Sequence, residues 1–166
     1  MPTDWASVYT ATWGDLVRFL HHKVWDADRA RDLAQEVFVR ALDQDPQDPR
    51  AWLFTVAANL ARDEARGEVR RRHKLELIKG EPRPEGSDPI EEMDKGQKMQ
   101  QVQAALAQLT DRDREVLLLW DAGLDYEHIA RETGLTKGAV GTTLSRARKR
   151  LVEAYAQIGG RDAASG

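Results

Sequence analysis

The residues best placed to do chemistry lie between positions 137 and 151, where five basic side chains occur without an acidic one. They are Lys137, Arg146, Arg148, Lys149 and Arg150. Val140 and Leu144 are four residues apart and indicate the buried side of a helix. This register is predicted to turn four polar side chains outward: Thr142, Thr143, Ser145 and Arg146. A helix with such a face fits a DNA major groove and neutralises phosphates.

Three short helices are predicted to position this basic face. They cover Asp111–Trp120, Asp125–Thr133 and the residues from Lys137 onward. Thr110, Asp125 and Thr136 suit the N-cap positions because their side-chain oxygens accept from free backbone amides. Gly134 suits a turn that requires positive φ. The spacing predicts a helix-turn-helix; the alternative is a helical hairpin with a solvated basic end.

The composition favours an all-α protein that binds other macromolecules. The chain has 166 residues and no cysteine, which excludes disulfides and thiolate metal sites. No apolar run reaches the roughly 20 residues that span a bilayer, so we expect no membrane insertion and a cytoplasmic location. The net charge of −3 does not exclude nucleic acid, because residues 1–48 carry −4 and residues 49–79 carry +4.

Catalytic and metal-binding signals are weak in this sequence. The four histidines are scattered at His21, His22, His73 and His128, and no glycine-rich phosphate loop or nucleophile motif occurs. We therefore expect no enzymatic activity, no cofactor and no metal site.

The first half of the chain predicts three more helices. They cover residues 4–24, Asp26–Leu42, and Pro49 to about Arg72, with the loop Asp43–Pro49 between the second and third. The second helix has a buried stripe through Leu33 and Val37. Four polar residues lie off that stripe: Asp28, Asp32, Gln35 and Glu36. From the residues alone, an ordinary solvated face is the favoured interpretation of this set.

The change of composition after residue 72 indicates a domain boundary. Residues 73–89 are rich in Pro, Gly, Ser and charge, as in a flexible linker, although Leu75–Ile78 could form a short helix. We predict an all-α chain of two small domains, 1–72 and 90–158, the second a helix-turn-helix. Residues 159–166 are predicted to be a disordered tail.

Three segments together resemble the bacterial sigma factors of the extracytoplasmic-function (ECF) group. DRARDLAQEVFVRAL (28–42) resembles the part of the sigma-two domain that docks on RNA polymerase. PRAWLFTVAANLARDEAR (49–66) resembles the segment that reads and opens the minus-ten promoter element. Residues 109–151 resemble the sigma-four domain, which reads the minus-thirty-five element. The resemblance covers roughly residues 5–155.

The resemblance implies a role for each matching residue. Docking on core RNA polymerase is implied for Asp28, Asp32, Gln35 and Glu36. Minus-ten DNA binding is implied for Asp48, Arg50, Asn59, Arg62, Asp63 and Arg66, with Asp43–Arg50 as a loop that captures a flipped base. Minus-thirty-five DNA binding is implied for Lys137, Thr142, Thr143, Ser145, Arg146 and Arg148. The implied partners are the β′ clamp helices and β flap of core polymerase, promoter DNA, and an anti-sigma factor.

Two positions depart from the family pattern. The run Val140–Leu144 carries Gly141 and Thr143 and lacks two basic residues that the family usually has there, which predicts weaker or altered minus-thirty-five binding. The loop Asp43–Pro49 is short and acidic, and its carboxylates could accept from cytosine N4. The alternative function is a stand-alone helix-turn-helix regulator, which would need a sensing or dimerisation domain in the first half of the chain.

Overall fold

The computed structural model describes residues 2–78 and 89–164, and the described residues form helices only. The seven helices of these ranges are α1 Trp5–Val24, α2 Ala27–Ala41, α3 Pro49–Ile78, α4 Pro89–Ala107, α5 Asp111–Asp121, α6 Tyr126–Thr133 and α7 Lys137–Ala164. The predicted fold class is confirmed. By its contacts the chain divides into two compact units, Met1–Gly80 with Leu118–His128, and Glu81–Leu117 with Ile129–Gly166.

The first unit is built on helices α1, α2 and α3, which pack pairwise against one another. Asp4 caps α1 through its carboxylate and the Ser7 amide, and Asp26 caps α2 through the Arg29 amide. Each helix then buries one stripe of apolar side chains. At the centre, the rings of Phe19 and Phe54 meet edge to face with centroids 5.4 Å apart, and both side chains are fully buried or nearly so.

The second unit is built on α4 and α7, which pack together, with the first part of α5 and the second part of α6. Its core is made of side chains with almost no solvent contact, among them Leu106, Val116, Ile129, Val140 and Leu144. The spacing of Val140 and Leu144 therefore predicted the buried side of α7 correctly.

Two predicted helix ends differ from the observed ones. Helix α3 continues to Ile78, because no Pro or Gly interrupts the chain between Gly67 and Gly80. Helix α7 continues to Ala164, into the predicted tail, since extending an existing helix costs far less than starting one. Residues 79–88 of the predicted linker lie outside the described residues.

The segment Leu118–His128 was predicted to belong to the second domain, but it groups with the first unit. Two arginines of that unit account for this. Arg18 donates to the Asp121 carboxylate and backbone carbonyl at 3.1 Å each, and Arg50 donates to the Ala122 carbonyl. These bonds satisfy carbonyl groups at the C-terminal end of α5, where no intrahelical donor is available.

We expect Phe54→Ala to destabilise the first unit by about 3–5 kcal/mol, because it removes a fully buried ring and leaves a cavity. Val39→Ala is the matched control: Val39 is 66% exposed, and its truncation should change stability by no more than about 0.5 kcal/mol. Urea unfolding followed by tryptophan fluorescence measures this, since all five tryptophans of the chain lie in the first unit. Equal midpoints for the two variants would contradict the proposed core.

Candidate nucleic-acid and protein interfaces

The acidic residues of α2 form an exposed face on the side away from the core. Asp28, Asp32, Gln35 and Glu36 are all exposed, while the other stripe of the helix, including Leu33 and Val37, is buried. Asp28 pairs with Arg31 at 2.5 Å and Glu36 with Arg40 at 2.8 Å. Such exposed pairs along one helix contribute little to stability, so a charged partner can replace them at small cost.

A bidentate ion pair, which the sequence analysis did not predict, joins α2 to α3. Arg29 donates from Nε and Nη2 to the two carboxylate oxygens of Glu64 at 2.5 and 2.6 Å. The Glu64 side chain is only 13% exposed. The hydrogen bond that Arg29 donates to Glu64 raises the pKa of Arg29 above its ordinary value. This pair fixes the acidic face of α2 relative to α3.

Four predicted minus-ten residues share one face of α3. Asn59, Arg62, Asp63 and Arg66 are all exposed, and their spacing of three, four and seven residues places them on one side of a helix. Arg62 donates to the Asn59 side-chain oxygen at 2.9 Å. The arrangement presents amide, cationic and acidic groups together along about two turns.

The other two predicted minus-ten residues are engaged inside the first unit. Asp48 caps α3 by accepting from the Ala51 amide at 3.0 Å, and its second oxygen lies 2.5 Å from His128 Nε2. Arg50 donates to Asp15 at 2.9 Å and to the Ala122 carbonyl. Both residues therefore make structural contacts, and their predicted role in DNA binding stays a prediction.

A groove of about 680 Å³ lies in the first unit where α2 ends and α3 begins. Its lining comprises Val39, Arg40, Leu42, Asp43, Gln44, Trp52 and Val56. Val39 and Leu42 are 66% and 69% exposed, which is unusual for large apolar side chains so close to a core. Two hydrogen bonds hold the backbone of the loop at Gln44: its backbone amide donates to the Ala41 carbonyl at 2.9 Å, and the Trp5 side chain donates from Nε1 to the Gln44 carbonyl at 3.1 Å.

The chemistry of this groove suits a planar polar ring. Apolar walls from Val39, Leu42 and Val56 offer surface for a base. The Gln44 side-chain amide donates to the Asp43 carboxylate at 3.3 Å, and its second N–H and the other carboxylate oxygen add a donor and an acceptor. The loop could be identified from the sequence, but the walls could not, because they come from the end of α2 and the start of α3. Only the exposure of Val39 and Leu42 marks them, and exposure is not visible in a sequence.

The helix-turn-helix forms with the predicted caps and turn. Thr110 Oγ1 accepts from the Asp113 amide at 3.2 Å, Asp125 from the His128 amide at 2.9 Å, and Thr136 from the Ala139 amide at 3.1 Å. Gly134 has φ +75°, a left-handed conformation that glycine adopts without strain. The predicted reason for a glycine at this turn is thereby confirmed.

The predicted outward face of α7 needs one correction. Lys137, Thr142, Ser145, Arg146 and Arg148 are exposed. The side chain of Thr143, however, is only 5% exposed and belongs to the core. Helical spacing explains this, because a stripe through residues 140 and 144 also includes 143 and 147. Thr143 is therefore unable to contact DNA in this arrangement.

The exposed part of α7 is tied to α5 by a carboxylate with no solvent contact. The Asp113 side chain is 0% exposed. Arg146 donates to its two oxygens at 2.9 and 3.4 Å, and Arg150 donates at 3.2 Å. The hydrogen bond from Arg146 is the main cause that lowers the pKa of Asp113 below its ordinary value of 3.8. We refer to Asp113, Arg146 and Arg150 as the Asp113 cluster.

Two family models match the two halves of the chain. Residues 8–71 match Sigma-70 region 2, and residues 99–151 match Sigma-70, region 4. The ECF RNA polymerase sigma factor EcfG of Rhodopseudomonas palustris is 35% identical over 140 residues, covering 76% of this chain and 71% of that protein. The chain belongs to the ECF RNA polymerase sigma factors.

Two further comparisons agree with this assignment. RNA polymerase sigma factor YlaC of Bacillus subtilis is 28% identical and covers 87% of each chain. The solved structure of the sigma factor RpoE in complex with the anti-sigma factor NepR from Bartonella quintana matches with a TM-score of 0.65 and 25% identity, over 91% of this chain and 96% of that one.

As an ECF sigma factor, this protein acts with RNA polymerase in promoter recognition. The alternative of a stand-alone regulator finds no support, because the region 2 match occupies the part of the chain where a sensing domain would have to lie. Within the described ranges, no group of His, Asp and Glu side chains is arranged to hold a metal ion. Among the same residues, no helix is both long and apolar enough to cross a membrane.

The Asp113 cluster predicts a pH dependence for the stability of this sigma factor. Since the folded pKa of Asp113 lies below the ordinary value of 3.8, the unfolded chain binds the proton more readily. The stabilisation is fully present above the ordinary pKa, and it is lost as the pH falls through the lower folded value.

The test compares thermal unfolding by circular dichroism between pH 7 and pH 3, for wild type and Asp113→Asn. The stability difference between the two should shrink as the pH falls. Asp111→Asn serves as the control, because that carboxylate is fully exposed in the same helical turn. A difference between wild type and Asp113→Asn that stays constant down to pH 3 would contradict the role given to the carboxylate.

Proposed function

We propose that α2 docks this sigma factor on the β′ clamp helices of core RNA polymerase through Asp28, Asp32, Gln35 and Glu36. The observation that carries the proposal is an exposed acidic face opposite a fully buried stripe, on a helix anchored to α3 by the Arg29–Glu64 pair. Carboxylates in this setting favour a basic partner surface, since complementary charge steers and aligns association.

The minus-ten element is proposed to bind along α3 and in the groove at its start. Asn59, Arg62, Asp63 and Arg66 share an exposed face of α3, where a single strand can be held by its phosphates and base edges. The groove would take one unpaired base against its apolar walls, with contacts that offset the cost of unstacking that base.

We propose that α7 reads the minus-thirty-five element. The residues that either contact the DNA or hold the helix in the orientation that this contact requires are Lys137, Thr142, Ser145, Arg146 and Arg148. Helix α7 follows a helix-turn-helix turn and carries exposed basic and hydroxyl side chains, as a major-groove helix requires. The second unit would also contact the β flap of polymerase.

We also propose two general properties of the protein and one further partner. The protein carries out no covalent chemistry of its own, and it works in the cytoplasm, where its polymerase is found. An anti-sigma factor is proposed as its regulator; the support is that the RpoE structure from Bartonella quintana, which this chain resembles, is a complex with the anti-sigma factor NepR.

The docking proposal is tested by co-elution with core RNA polymerase of the native host on a sizing column. Wild type should co-elute, whereas Asp32→Arg with Glu36→Arg should not, because two acceptors of the docking face become cationic. The matched control is Asp111→Arg with Glu153→Arg, which makes the same change in net charge at two exposed positions outside that face. Co-elution of both doubly substituted proteins would refute the proposed docking face, and absence of wild-type binding would refute the function.

The base-capture proposal is tested with Gln44→Ala, a substitution in the groove, against Gln47→Ala, which lies in the same loop but outside the lining. The probe is a single-stranded minus-ten oligonucleotide bound by the holoenzyme. Its sequence comes from run-off transcription on genomic fragments. Gln44→Ala should weaken binding by roughly 1 kcal/mol, the size of one lost hydrogen bond, and Gln47→Ala should bind like wild type.

An abasic position in the oligonucleotide identifies the captured base. When that base is removed, the difference between wild type and Gln44→Ala should disappear, because the side chain then has no partner. If the difference persists at every abasic position, the groove does not hold a base.

A further inference from the structure

Two of the five basic residues of the segment 137–151 bind one carboxylate of the same unit. Arg146 and Arg150 are four residues apart, so both lie on one side of α7, and both donate to Asp113 of α5. Their own side chains remain 48% and 52% exposed, while the carboxylate has no exposure. The two arginines therefore lie at the border between the exposed and the buried side of α7, and their guanidinium groups reach inward to the buried carboxylate.

The geometry of this contact restricts the position of α7 relative to α5. The Arg146 guanidinium uses both Nε and Nη2 on the two carboxylate oxygens, and this forked arrangement fixes direction as well as distance. A buried carboxylate that lost its donors would be costly. Sliding or rotating α7 past α5 would break these bonds, so the Asp113 cluster sets the register of α7.

We propose that Asp113 is a positioning residue of the DNA-reading helix, and that Arg146 contributes to minus-thirty-five binding by holding α7 on α5 rather than by contacting a phosphate. The proposal rests on the proposed function of α7. It replaces the direct DNA contact that was predicted for Arg146 with a role in holding α7, and it gives the buried Asp113 a function that was not predicted.

Arg148 provides the contrast within the same helix. Two residues advance a helix by about 200°, so Arg148 points away from the side on which Arg146 meets Asp113. An arginine on that side can reach a phosphate of bound DNA without giving up the Asp113 cluster. The two residues should therefore respond differently to substitution.

The test measures promoter binding by the reconstituted holoenzyme as a function of salt, for Arg146→Gln and Arg148→Gln. The probe is the promoter duplex recovered by run-off transcription. Loss of one phosphate contact should reduce the magnitude of the negative slope of log K against log salt by about 0.9, and we expect this shallower slope for Arg148→Gln. Arg146→Gln should weaken binding by about tenfold, as for a buried charge that loses a donor, with the slope unchanged.

Lysine substitutions separate charge from geometry. Lysine keeps the positive charge but cannot make the forked contact. Arg148→Lys should therefore retain most of the promoter affinity, whereas Arg146→Lys should lose nearly as much as Arg146→Gln. Asp113→Asn should weaken binding to the full promoter while leaving binding to a fork template with only the minus-ten element unchanged. Asp111→Asn should leave binding to both templates unchanged.

The proposal is overturned if Arg146→Gln lowers the salt slope as Arg148→Gln does and Arg146→Lys binds like wild type. Should Asp113→Asn fail to fold, the four arginine variants still decide the question. Failure of the proposed function is distinct, because in that case wild-type holoenzyme itself gives no promoter-specific run-off product.

Discussion

The structure of this sigma factor depends on one constraint, which is that each short helix must bury a single apolar stripe. In α2 the buried residues Leu33 and Val37 leave the remaining side of the helix exposed. Asp32 and Glu36 lie on that side because their positions in the helical repeat allow no other. The core thus places the proposed docking surface, while Asp28 and Glu36 pair at exposed positions with Arg31 and Arg40 of the same helix.

The same constraint explains what could be predicted from the sequence. Helix order, the caps at Thr110, Asp125 and Thr136, and the glycine turn at Gly134 follow from local rules, and the structure confirms them. Thr143 lies on the buried side, contrary to the prediction, because the buried stripe of α7 includes residues 143 and 147 as well as 140 and 144. A hydroxyl residue can occupy a core position, so residue type alone does not reveal its orientation.

The long-range pairs could not be predicted. Arg29 meets Glu64 across 35 residues, and Arg146 meets Asp113 across 33. Each pair exists because two helices cross at a particular point, and the crossing is set by the packing of apolar side chains elsewhere. The groove beside Gln44 is similar, since its walls come from two helices and a loop that only the folded chain brings together.

These pairs also change how the charge of α7 should be counted. The segment 137–151 has five basic residues, but the Asp113 cluster combines two of them with one carboxylate. The cluster therefore cancels part of the basic charge that the sequence shows in this segment. Position 141 lowers that charge further, because it carries a glycine where the family usually has a basic residue. In the proposed promoter complex, the affinity of α7 for the minus-thirty-five element alone should therefore be modest, and polymerase and the proposed minus-ten contacts should supply the rest of the binding free energy.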